Sequence, residues 1–201
     1  MHCRSVAERI CVVGLGYIGL PTAAAFAARG IRVAGVDVDP RVLETINRGD
    51  IHIVEPDLDK AVRQAVNSGF LRATLTPEPA DVFLIAVPTP FNSGDKSPDL
   101  SFIDAACRAI APVLGRGNLV VLESTSPVGT TERMAALLAG MRPDLSFPQQ
   151  DSADPDVGIA HCPERVLPGR VLQEIVCNDR IIGGMTRACA ERACTSASRT
   201  P

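Results

Sequence analysis

The chain has 201 residues, 46% of them hydrophobic, and a formal net charge of −3 at pH 7, which suits one well-buried domain or one domain with part of another. Mild acidity, the lack of a Lys/Arg run and an aromatic content of 3% leave neither the charge footprint nor the stacking platform of a nucleic-acid binder. No apolar run approaches the ~20 residues of a membrane span, and the first residues lack the basic–apolar–small pattern of a signal peptide, so the expected setting is the cytoplasm.

The run Ile10-Cys11-Val12-Val13 reads as a buried parallel strand. Gly14, Gly16 and Gly19 follow with the spacing G-x-G-x-x-G, around Leu15, Tyr17 and Ile18. In that pattern the first glycine allows the tight turn, the second admits a pyrophosphate to the backbone, and the third lets helix and strand pack closely. A helix from Leu20 to Arg29 is expected, with Pro21 in its first turn and Gly30 as its stop. Its N-terminus would offer free N–H groups to phosphates. Ile31 to Val36 reads as the second strand. Asp37, 18 residues after Gly19, has the position of a ribose-binding acid. Such a carboxylate accepts from ribose hydroxyls and repels a 2′-phosphate, which favours NAD over NADP; Arg41 lies close enough to soften that preference.

A short helix over Pro40 to Asn47 comes next, then an extended or looped piece from Ile51 to Pro56. Asp57 is expected to cap a helix running through Asn67. Phe70 to Leu75 fits a third strand and Asp81 to Val87 a fourth. Pro88-Thr89-Pro90 at its end reads either as a loop placing Thr89 on a cofactor or as a rigid connection set by two prolines. Ser101 and Asp104 resemble a capping pair for a helix through Leu114.

Asn118 to Glu123 is the next strand, followed by Ser124-Thr125-Ser126-Pro127-Val128-Gly129-Thr130-Thr131. Hydroxyls at the start of the helix Thr131 to Ala139 suit either N-capping or a ligand. Arg142 to Pro155 reads as a polar surface loop, and Asp156 to His161 as a short strand. The loop Cys162-Pro163-Glu164-Arg165-Val166-Leu167-Pro168-Gly169-Arg170 then gathers a thiol, a carboxylate and two guanidiniums, groups suited to a polar or anionic ligand. Val171 to Val176 is a candidate helix and Arg180 to Gly184 a final strand and turn. The pattern fades after Met185: Thr186 to Glu191 is a candidate helix start, and residues 186–201 are expected to be an irregular tail on a domain spanning 1–185. The repeated β-α-β order predicts an α/β, doubly wound parallel sheet. Its strand ends would gather Gly16, Asp37, Thr89, Thr125 and Glu164 around one ligand.

Of the seven cysteines none forms a C-x-x-C pair, and reduced thiols, several of them in the core, are expected. His2, His52 and His161 show no metal-ligand spacing, and no metal is expected.

Four motifs in series, Gly14 to Pro21, Val87 to Pro90, Glu123 to Gly129 and Pro163 to Val166, resemble those of the NAD-dependent nucleotide-sugar 6-dehydrogenases, from Ile10 to about Thr186. Pro163-Glu164-Arg165 resembles the branch acting on UDP-N-acetyl-D-mannosamine rather than the UDP-glucose branch, which has a Pro-Glu-Phe type sequence there. The resemblance implies a Rossmann-like fold and oxidation of the sugar C6 alcohol to a carboxylate with two NAD. It implies that Tyr17, Ile18, Asp37, Thr89 and Thr131 contact NAD, that Thr125 positions the reacting water, that Glu164 moves protons beside the reacting carbon, and that Arg165 and Val166 touch the UDP-sugar. The family is longer: its second half supplies a catalytic cysteine, a lysine and an asparagine, and commonly the dimer contact. Those motifs are absent here, where Lys60 and Lys96 are the only lysines, and Cys162 stands where the family has no catalytic thiol. The expectation is a truncated or frame-shifted product carrying the cofactor half. The readings that remain open are a dehydrogenase part that turns over only with its second half, whether for this sugar or for another such as UDP-glucose; a module that holds NAD without turnover; and another NAD-dependent dehydrogenase of the hydroxyacid type, against which Pro163-Glu164-Arg165 argues.

Overall fold

The computed structural model describes residues 9–150 and 154–197. The elements run β1 (Arg9–Val13), α1 (Gly19–Ala28), β2 (Arg32–Val36), α2 (Pro40–Asn47), α3 (Leu58–Asn67), β3 (Leu71–Thr74), β4 (Val82–Ile85), α4 (Ser101–Ile110), β5 (Leu119–Leu122), α5 (Thr130–Met141), β6 (Gly158–His161), α6 (Val171–Cys177), β7 (Gly183–Gly184) and α7 (Arg187–Ala197). The strands form one sheet in the order β3-β2-β1-β4-β5-β6-β7. The first six are parallel and the two-residue β7 is antiparallel to β6. This is the doubly wound α/β sheet expected from the sequence, with its order reversing between β1 and β4.

Alternation along the strands divides the core into two layers. Ile10, Val12, Val82, Leu84, Leu119 and Val121 face α1, α2 and α3, with Leu20, Phe26, Leu43, Ile46, Leu58 and Val62 packed on them. Cys11, Val13, Phe83, Ile85, Val120 and Leu122 face the other way, against Ile103, Ile110, Met134 and Leu138 of α4 and α5. Nearly every residue of α1 is buried, because α3 and α6 cover the side that the sheet does not. Its alanines make that close approach possible.

Several local expectations are corrected. Asp57 precedes α3 but does not cap it; at φ +60° its side chain turns out to Lys60 Nζ, 2.8 Å away. Ser101 and Asp104 form no capping pair. Ser101 instead donates its backbone N–H to Asp99 Oδ1, while Asp104 reaches across to Arg133 of α5 at 2.6 Å. That guanidinium holds the Asp104 carboxyl below the usual carboxylate range. The segment 142–150 is more than a surface loop: Leu145 and Phe147 are buried in the core; residues 151–153 lie outside the described residues. The final strand shrinks to Gly183–Gly184.

The tail expected to be irregular from residue 186 is helical as far as Ala197. Cys189 and Ala193, one turn apart, bury themselves under β6 and β7 and hold it there. Residues 198–201, Cys3 and His2 lie outside the described residues.

Glu55, in the piece before α3, is buried and accepts from the backbone N–H groups of Gly169 at 3.0 Å and Val171 at 2.7 Å. Its carboxylate therefore satisfies the start of α6 from a point 116 residues earlier in the chain. It also anchors the end of the loop carrying Glu164, Arg165 and Val166.

Candidate dinucleotide groove

The carboxyl ends of the parallel strands open into a groove of about 710 Å³. Gly14, Gly16, Tyr17 and Ile18 line it after β1, Asp37 after β2, Thr89 after β4, Glu123, Ser124 and Thr125 after β5, and Glu164 after β6. Phe102, Ala105, Ala106 and Ala109 of α4 complete one wall. A crevice at the point where strand order reverses is where such sheets bind ligands.

The three motif glycines serve different ends. Gly14 has φ +93°, and a Cβ there would sit 2.7 Å from Ala86 O. At Gly19 a Cβ would fall 1.8 Å from Gly14 O, so the turn and helix close only on glycine. A Cβ at Gly16 would meet nothing within 4 Å. The protein's own packing therefore does not require Gly16; what the missing side chain leaves open is the groove beside the turn into α1, where Leu20 N donates to Gly16 O, Thr22 N donates to Ile18 O and Pro21 has no N–H. This open backbone at a helix N-terminus fits a diphosphate.

Asp37 Oδ2 accepts from Leu15 N at 3.0 Å and Oδ1 from Asp39 N at 3.1 Å. Each oxygen keeps a further lone pair for a ribose hydroxyl. Arg41 is turned onto Asp39, with contacts of 2.8 and 3.1 Å. Its charge is thus engaged locally.

Two loops at the groove floor are tied together. Thr89 Oγ1 donates to Thr125 O at 2.6 Å, and Ser124 Oγ donates to Val87 O at 2.6 Å. Thr130 spends its hydroxyl on Pro127 O, and Thr131 lies at the start of α5 with its hydroxyl on Glu132. Thr131 is not among the groove-lining residues, and neither are Arg165 and Val166. Arg165 is exposed and donates to Asp179 O, and Val166 packs toward Val171 and Ile175. Gly19 lies behind the groove, where it closes the turn.

The groove also holds a cluster that sequence reading did not single out. Glu123 is buried, at 3% exposure, and its Oε1 lies 3.3 Å from Arg180 Nη1. Arg180 Nη2 lies 3.4 Å from Glu164 Oε2. One guanidinium thus spans two carboxylates from separate strand ends. Loss of water pushes the Glu123 carboxyl up to about 7; Arg180 pulls against that shift and Glu164 adds to it. The available signal was an acid ending the otherwise apolar strand Leu119–Leu122, but Arg180 is 57 residues away and no spacing rule joins them.

Cys162, also at this cluster, is buried and its thiol is pushed up from the ordinary value by that burial. A thiol held protonated is a poor nucleophile, which agrees with a structural reading of Cys162. No group of three or more His, Cys, Asp or Glu that could hold a metal occurs among the described residues, and no helix among them is long and apolar enough to cross a membrane.

The model of the UDP-glucose/GDP-mannose dehydrogenase family NAD-binding domain matches residues 8–196. The chain belongs to that family. The match takes in the glycine loop, Asp37 and every strand of the sheet. The match also takes in most of α7, the segment expected to be a tail. A UDP-N-acetyl-D-mannosamine dehydrogenase of Salmonella typhi is 64% identical over 184 residues, covering 92% of this chain and 44% of the relative. An NDP-N-acetyl-D-galactosaminuronic acid dehydrogenase of Ralstonia nicotianae is 66% identical over 184 residues, covering 92% of this chain and 43% of the relative. The structure of a UDP-N-acetyl-mannosamine dehydrogenase from S. aureus superposes with a TM-score of 0.88 at 39% identity, over 96% of this chain and 44% of the other. The chain thus spans less than half the length of the curated relatives it matches.

Proposed function

We propose that this chain is the cofactor-holding part of an NAD-dependent dehydrogenase that oxidises the C6 alcohol of UDP-N-acetyl-D-mannosamine to the uronate. The observation that carries the reading is the convergence of Gly16, Asp37, Thr89, Thr125 and Glu164 on one groove, in a chain 64% identical to a relative of that name. NAD supplies the hydride acceptor. Tyr17, Ile18 and Thr89 shape its bed, Asp37 takes the adenosine ribose, and Thr131, at the start of α5, contacts it from beside the Thr125 loop. Thr125 orients a water, and Glu164 receives the proton that water gives up on attack. Arg165 and Val166, next to Glu164 on the same loop, receive the UDP-sugar. The remainder of a chain as long as the relatives would supply the thiol nucleophile and the surface of a homodimer, and the setting is the cytoplasm. A second reading, NAD binding without turnover by these residues alone, is favoured by the lack of a cysteine in the groove lining among the described residues and by Lys60, exposed, paired with Asp57 and outside that lining.

The test fuses this chain to the second half of the Salmonella typhi relative and supplies UDP-N-acetyl-D-mannosamine, UDP-N-acetyl-D-galactosamine and UDP-glucose. Two NADH per UDP-N-acetyl-D-mannosamine are expected. Glu164→Gln should lower turnover by about two orders of magnitude or more while NAD binding persists. Faster oxidation of either other sugar overturns the substrate assignment.

A further inference from the structure

Asp37 marks the adenosine end of the groove and the glycine loop its middle, so the opposite end of a bound dinucleotide faces the tips of β5 and β6. Glu123, Glu164 and Arg180 stand there: two carboxylates against one guanidinium, with contacts of 3.3 and 3.4 Å. Among the described residues, Glu123 Oε2 has no hydrogen-bond partner although it is buried. Behind the cluster lies a cavity of about 20 Å³, lined by Glu123, Cys162, Arg180 and apolar side chains, the size of one water. Glu123 thus borders both the groove and a small, largely apolar niche, with one oxygen uncommitted.

The charge missing from this cluster is positive, and the nicotinamide ring is cationic when oxidised and neutral when reduced. Resting on the reading that the groove takes NAD with its nicotinamide at this end, we propose that Glu123 senses the cofactor's redox state: its carboxyl ionises beside the oxidised ring and holds a proton beside the reduced one. The proton leaves to bulk solvent and returns from it, and no bond to the cofactor is made or broken. With its carboxyl pushed up to about 7, Glu123 is poised to respond near neutral pH. The other titratable groups facing it are Glu164 and Cys162 from the end of β6 and beyond, and Arg180 from the segment after α6. Tyr17 and Asp37 border the same groove farther along, and His161 is turned onto Ser124 O. From α1, β1, β4 and α7, the residues bordering the small cavity are Phe26, Ile10, Val82, Leu84, Ala193, Ser196 and Ala197, none of them charged.

Calorimetric titration of the chain with NAD⁺ and with NADH, each at about pH 7 in two buffers of different ionisation enthalpy, counts the protons exchanged on binding. NAD⁺ should release up to about half a proton and NADH should take up as much, a difference of up to about one proton for a carboxyl near half-ionisation in the free chain. Glu123→Gln should abolish the difference, and Glu191→Gln, at an exposed carboxylate of α7 outside the groove lining, should retain it. Equal proton counts for the two cofactors in the unaltered chain overturn the proposal, as does a difference that survives Glu123→Gln or vanishes in Glu191→Gln. If Glu123→Gln does not fold, the unaltered chain and Glu191→Gln still decide. Absence of any binding heat, for either cofactor, would instead overturn the placement of NAD in the groove.

Discussion

Gly14 and Gly19 are glycines because a Cβ would strike the backbone, whereas at Gly16 the protein's own atoms leave room for one. Gly16→Ala should therefore leave thermal stability close to that of the parent and weaken NAD binding by about tenfold or more, since a methyl would hold the diphosphate off the amides. Gly19→Ala should unfold far more easily, its methyl being forced against Gly14 O. Melting curves paired with NAD titrations separate the two effects, and equal loss of stability in both variants would contradict the division of labour. These residues, with Asp37, were legible because a local turn fixes their spacing. Glu123 and Arg180 were not, because their meeting depends on two connections and a sheet register that no short motif encodes.

At the scale of elements, the strands of β1, β2, β4 and β5 were readable from their apolar runs and α1 from its alanines. The ends of elements were less so. Asp57 has the residue type of a cap but the wrong backbone angle for it, and α7 buries two small side chains rather than a broad stripe, too little to show as periodicity. Least legible was the support for α6. Its first N–H groups are met by Glu55, from before α3, through two hydrogen bonds. Hydrogen bonds to a charged acceptor contribute about 1.5–3 kcal/mol each, less in pairs that share one group. Glu55→Ala should cost about 2–4 kcal/mol in urea unfolding and expose the bond region 163–170 to proteases before the rest of the chain. Unchanged stability and an unchanged cleavage pattern would show that the loop is held by other means.

For the molecule as a whole, the buried Glu123 sets a dependence of stability on pH. Its carboxyl is raised from 4.5 in the ordinary state to about 7 in the folded one, so between those values the folded chain binds more protons than the unfolded chain. Stability contributed by this group therefore falls as pH rises through that window. The loss is about 3 kcal/mol when complete, above about pH 8. Urea midpoints of the parent and Glu123→Gln, compared across pH, isolate this group because the other carboxylates cancel. The parent should lose ground to the variant as pH rises, and parallel curves would disprove it. The doubly wound architecture was legible from the alternation of strands and helices, while the crossing of β4 to the far side of β1 is a property of the assembled sheet.

The cross-ties between the loops after β4 and β5, Thr89 to Thr125 O and Ser124 to Val87 O, lock the bottom of the crevice in place as the chain folds. A dinucleotide arriving there meets a mould already set, so little of its binding energy is diverted into freezing loose backbone.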